Sequence, residues 1–159
     1  MSLSISYGYL SFVAYLCLFA IRGDESMTDD FGTQLATIDS IILTNSECHV
    51  VAAGDYNVSL SRNSVHTTML CSYCDSAGLT PAVKHSNANI DNTHTYHFGM
   101  LRFSVLDHFL LSGMLFGHAA RSAFVAHDTD NTSYHELVIL NVSLQTRFLA
   151  STQASHCMD

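Results

Sequence analysis

The chain has no tryptophan, one proline and few cations. With Pro81 as the only proline, most turns must be shaped by Gly, Asn, Asp and Ser. Lys84 and five Arg face fourteen acidic residues, giving a net charge of −8. Lys and Arg contacts to phosphate supply much of any protein's affinity for nucleic acid. No basic cluster is present, which weighs against tight, charge-driven binding to a polyanion. Charged residues are only 13% of the chain and hydrophobic ones 48%, which excludes a disordered polypeptide. A length of 159 residues suits one domain, able to bury roughly two-thirds of the surface of its unfolded chain.

A disulfide framework is also lacking. Cys17, Cys48, Cys71, Cys74 and Cys157 are odd in number and irregular in spacing. Cys71 and Cys74 form a CxxC, but no second ligand pair at matched spacing completes a zinc site. They read as small buried hydrophobes on a helix.

The one long apolar run, Tyr9 to Ile21, is broken only by Ser11. It falls short of the roughly 20 residues that cross a bilayer. As a signal peptide it lacks a basic start, and Arg22 lies on the wrong side. Its Phe, Tyr, Val and Leu content favours a buried strand, with a targeting segment second and a membrane helix last. Asn57, Asn131 and Asn141 each open an Asn-x-Ser sequon, which matters only in a secreted chain.

Phe31, Leu35, Ile38 and Ile42 recur at helical spacing, predicting a helix over Thr33 to Thr44 with Asp29 or Asp30 as its cap. His49 to Ala53 reads as a buried strand ending at Gly54. A second helix is expected from Asn63 to Ala77, with Val65, Met69 and Tyr73 on one face and Gly78 as its C-terminal stop. Residues 80–94 read as a polar loop. Thr95 to Phe98, Phe103 to Leu111, Arg121 to Ala126 and Glu136 to Leu144 read as strands, with a polar loop at 127–134. Helices and strands interleave and then strands follow in succession, which predicts a layered α/β domain.

Three polar segments sit beside these apolar runs. Gly54-Asp55-Tyr56-Asn57 follows a buried strand, and an Asp and an Asn two apart on an extended chain point the same way. The carboxylate can take a proton from water, and the amide can donate to a phosphate oxygen. Leu106-Asp107-His108-Phe109-Leu110-Leu111-Ser112 places an acid in an apolar strand, where it needs a partner. Ser133-Tyr134-His135-Glu136 precedes the apolar Leu137 to Leu140, and His135 is a candidate partner for Asp107. Taken singly, Gly-Asp is also turn composition and a lone His is more often structural. Their order and separation distinguish them.

In that order the three segments resemble the motifs of the endonuclease/exonuclease/phosphatase superfamily. Its members carry Gly-Asp-Phe/Tyr-Asn, then Leu/Ile-Asp-Tyr-x-Leu-x-Ser, then Ser-Asp-His-x-Pro. The resemblance covers about residues 24 to 144. It is strongest to the apurinic-endonuclease-like domain of a LINE-type retrotransposon, which nicks target DNA before reverse transcription. It implies a truncated four-layer α/β sandwich, with an apolar leader at 1–23, a partial domain at 24–147 and a tail at 148–159. By resemblance, Asp55 orients or deprotonates the attacking water and Asn57 bonds the scissile phosphate. Asp107 orients His135, which stabilises the phosphate or acts as general acid/base. Mg²⁺ is the implied cofactor. DNA is the implied partner, with a reverse transcriptase domain in a parent polyprotein and no membrane. An intracellular location, nuclear or cytoplasmic, accompanies that reading.

Three departures stand out. The metal-site Asp of Ser-Asp-His is Tyr134, and a phenol with a pKa of about 10 is a poor Mg²⁺ ligand. The motif's Pro is Leu137. The family's N-terminal Asn and Glu motifs have no counterpart before Asp55, and Glu25 falls in an expected loop. The expectation is a degenerate endonuclease remnant with weak or no hydrolysis. One alternative is an active Mg²⁺-dependent phosphodiesterase completed by a partner or a longer isoform. A second is a secreted, glycosylated binding protein.

Overall fold

The computed structural model describes residues 2–7, 10–18, 27–82, 94–98, 102–113, 115, 123–126 and 130–140. Expectations for the loop at 83–93, for 127–129, for Asn141 and for the tail lie outside these residues.

The apolar run forms strand β2 (Leu10–Leu18), antiparallel to β1 (Ser2–Tyr7) and parallel to β3 (His49–Asp55). Helix α1 (Thr28–Thr44) connects the two parallel strands, as a parallel crossover requires. Beyond β3 lie α2 (Val65–Ala77), β4 (Leu79–Pro81), β5 (Tyr96–Phe98), β6 (Arg102–Ser104), β7 (Asp107–Ser112), β8 (Ala123–Ala126) and β9 (Leu137–Leu140). One sheet has the order β1-β2-β3-β7-β4, and β5-β6 and β8-β9 form two-stranded ladders.

Side chains alternate across β3 and β7, so each strand feeds two cores. Val50, Ala52 and Leu110 meet Phe31, Leu35 and Ile38 of α1 and Leu70 and Cys74 of α2. Phe109, Leu111 and Val51 face the other way, against Ala82, Leu115 and Leu140 of β9. Helices therefore cover one face of the sheet, and the β8-β9 ladder approaches the other. This is the layered α/β architecture expected from the sequence. Among the described residues no helix is long and apolar enough to cross a membrane.

Several local expectations need correction. Helix α1 begins at Thr28, five residues early, with Met27 at its N-cap and no side-chain cap. Asp29 and Asp30 lie in the first turn, where they complement the helix dipole instead of capping it. Ser64 caps α2 by accepting from the Thr67 N–H at 3.1 Å, and Gly78 ends it at φ 65° with its N–H on Cys74 O. The buried stripe of α2 is His66, Leu70 and Cys74, one position on from the expected face. Cys74 is buried as expected, whereas Cys71 is only partly so. The single strand expected over Phe103 to Leu111 is broken at residues 105–106. β4 takes Thr80 and Pro81 from the expected loop.

Candidate functional site

The antiparallel pairing of β3 with β7 decides where the first two acids lie. In its register Gly54 faces His108 and Asp55 faces Asp107, so the end of one strand meets the start of the other. Tyr56 N–H continues the ladder onto Leu106 O at 2.9 Å. The chain then turns sharply: Gly54 has φ 150° and Asn57 has φ 52°, both in the region that disfavours most side chains. The Asp55 carboxylate fixes this turn, accepting from Asn57 N–H at 2.9 Å and from Asn57 Nδ2 at 3.2 Å.

His135 reaches the site through a single antiparallel bridge to Tyr96. Flanking bonds hold it: His97 N–H to Tyr134 O at 2.9 Å and Glu136 N–H to Thr95 O at 2.8 Å. Asn131 shapes the preceding turn, its Oδ1 accepting from Ser133 N–H and its Nδ2 donating to His135 O at 2.8 Å. The Tyr96 ring lies 5.0 Å from the imidazole, centroid to centroid.

His135 therefore sits between two carboxylates. Its Nδ1 lies 3.1 Å from Asp107 Oδ2, and its Nε2 lies 3.8 Å from Asp55 Oδ2. An ionised carboxylate only accepts, so Nδ1 carries the proton in that bond. Burial raises the Asp55 pKa above its usual 3.8, and the nearby Asp107 charge pushes the same way. Bonds from Asn57 and the proximity of His135 oppose that rise. An elevated carboxylate pKa suits a proton acceptor. The structure thus brings Asp55, Asn57, Asp107 and His135 into one place.

Asp55, Asp107 and His135 offer ligand atoms that all lie within 4.8 Å of one another and could hold a metal ion. Mg²⁺ prefers oxygen donors in an octahedral shell and is usually held by one or two carboxylates completed by water. The set meets that preference only in part: its two carboxylates already accept from Asn57 and His135, and its third group is an imidazole. Tyr134, where the motif resemblance implies a metal ligand, is 56% exposed and packs against His97 and Phe98.

Sequence reading missed Thr95. It is fully buried, and its Oγ1 accepts from the N–H groups of both Leu106 and Asp107, at 2.9 and 3.0 Å. The break between β6 and β7 follows, because two ladder donors turn to a side chain. Asn131 was legible only as a sequon, yet its Asn-x-Ser spacing is also that of an Asx turn. Neighbouring His108 is buried, its Nε2 2.6 Å from Val58 O, and burial lowers its pKa below 6.5.

The layered sheet and helices have the endonuclease/exonuclease/phosphatase fold. No family model and no curated protein matches the chain. Among solved structures it is similar to a 3′ phosphatase, NExo from Neisseria, bound to a product DNA hairpin. That match has a TM-score of 0.67 at 12% identity and covers 89% of this chain and 64% of that one. It is similar to the endonuclease domain of TRAS1, a telomere-specific non-LTR retrotransposon, at TM-score 0.65 and 16% identity, covering 90% and 63%. A family protein from Leptotrichia buccalis matches at TM-score 0.65 and 18% identity, covering 90% and 53%. The chain thus spans less than two-thirds of the length of these solved structures.

Proposed function

We propose that this chain is a phosphodiester-hydrolase-type domain of retrotransposon kind that keeps the water- and phosphate-handling groups but is impaired at the metal-handling ones. The observation that carries this reading is His135 bonded to Asp107 at 3.1 Å beside Asp55, while Tyr134 packs away against Phe98 and His97. In this reading Asp55 takes a proton from the attacking water. Asn57 donates its amide to a phosphate oxygen. Asp107 holds the His135 tautomer, so that Nε2 can carry a proton or stabilise the phosphate. The substrate class is DNA phosphodiester, by likeness to a 3′ phosphatase bound to a DNA hairpin and to a retrotransposon endonuclease domain.

Phosphodiester hydrolysis in such sites leans on an ion to polarise the phosphate. Loss of its carboxylate ligands lowers the rate by about a thousand-fold or more. The test is nicking of supercoiled DNA with Mg²⁺, run beside His135→Ala. Weak or no cutting is expected. Robust cutting that His135→Ala abolishes overturns the impaired reading. It favours instead an active enzyme, the reading that the facing carboxylates Asp55 and Asp107 support.

A further inference from the structure

A second cluster of chemistry-bearing side chains lies outside that constellation. His94 precedes β5, His97 lies within it, and Glu136 follows His135. Their ligand atoms all fall within 4.8 Å of one another. The backbone bonds His97 N–H to Tyr134 O and Glu136 N–H to Thr95 O fix the two segments in register.

The Glu136 side chain is only 9% exposed, so its carboxylate is held in a fixed place by its contacts. Its two oxygens are divided. Oε2 accepts from Asn131 Nδ2 at 3.2 Å, and Oε1 faces His97 Nδ1 at 3.5 Å. That Nδ1 is buried and makes no hydrogen bond. The separation exceeds the usual 2.7–3.2 Å of an N–H···O bond. It matches the edge between two ligands on one tetrahedral ion, roughly 3.3–3.5 Å for metal–ligand bonds of about 2.0–2.2 Å. The His94 ring stands edge-on to that of His97, with centroids 6.2 Å apart.

We propose that His94, His97 and Glu136 form a binding site for a borderline divalent cation of the Zn²⁺ type. Two imidazoles and a carboxylate suit that class, and three protein ligands leave a fourth position for water. Asn131 orients the carboxylate from behind, as outer-shell amides do in metal sites. The ion clamps the edge of β5 to the segment that carries His135. The site does not depend on the chain being a nuclease.

The experiment uses the full chain, stripped with chelator and titrated with Co²⁺ as a spectroscopic substitute for Zn²⁺. One Co²⁺ per chain is expected, with visible bands of low-coordinate nitrogen/oxygen ligation that Zn²⁺ displaces. Saturating Zn²⁺ should raise Tm by about 5 °C. Glu136→Gln and His94→Ala should each weaken binding at least about tenfold while far-UV circular dichroism is kept. Asp107→Asn, in the other cluster, should leave the bands unchanged. No binding at one equivalent overturns the proposal. So do thiolate charge-transfer bands, which assign the ion to cysteine, and bands lost in Asp107→Asn, which assign it to the other cluster. The wild-type and Asp107→Asn titrations decide the matter even if Glu136→Gln does not fold.

Discussion

At the scale of single residues, the position of Asp107 depends on one hydroxyl. Thr95 Oγ1 accepts two backbone N–H groups that no strand partner takes. Thr95→Val keeps the shape and strands both donors, so a loss of about 1–3 kcal/mol in urea unfolding is expected, with Thr95→Ser largely restored. Asp55 gives a prediction of opposite sign. Its folded pKa is raised, so the folded state holds that proton more tightly than the unfolded chain. The contribution of Asp55 to stability therefore falls as pH rises from 3.8 through the folded pKa, and stays low above it. Asp55→Asn removes the penalty and keeps an acceptor for the Asn57 N–H. Tm should rise by about 1–3 °C at pH 7 and change little at pH 3, as scanning calorimetry can measure. Asp55, Asn57, Asp107 and His135 were legible because motifs mark them. Thr95 was not, because a hydroxyl that bonds backbone twelve residues away leaves no local pattern.

At the scale of elements, periodicity read α1 well and α2 less well. Phe31, Leu35 and Ile38 are apolar and buried, so pattern and packing agree. In α2 the buried stripe includes His66, whose ring meets Phe31 edge-on at 5.1 Å. A hydropathy pattern counts histidine as polar, and so it chose Val65, which is 46% exposed. The Ser64 cap fixes where α2 begins. Ser64→Ala should cost about 1 kcal/mol in chemical denaturation, without changing the slope against denaturant. The hydroxyl also contacts Thr67 Oγ1 at 2.8 Å, so removing Thr67 as well should add less than its separate cost. The amides of Asn57 and Asn131 already serve the turns of the site. A glycan on Asn131 would take one of the two amide N–H groups that it uses, on His135 O and Glu136 Oε2.

At the scale of the whole molecule, the sheet order explains why the apolar leader matters. β2 lies against β3 along seven paired positions, from Phe12 with His49 to Leu18 with Asp55. Deleting residues 1–23 would leave the backbone of β3 as an open edge, ready to pair with another chain. Size-exclusion chromatography should then show association in place of the full-length elution. Layering was legible from the alternation of patterns along the chain. The strand order was not, because β3 pairs with β7 across more than fifty intervening residues, and no local signal encodes that choice.

That distant pairing bears on time as well as on place. During synthesis, β3 leaves the ribosome well before β7 exists, and a half-built sheet must wait with its central strand uncovered. Asp55 and Asp107 become neighbours only when the ladder zips, so the candidate site cannot exist before that long-range pairing. The same holds in reverse: any excursion that unzips β3 from β7 erases the site at once. Amide protection along Ala52 to Gly54 and the integrity of the acid pair should therefore decay together, with one shared free energy of opening.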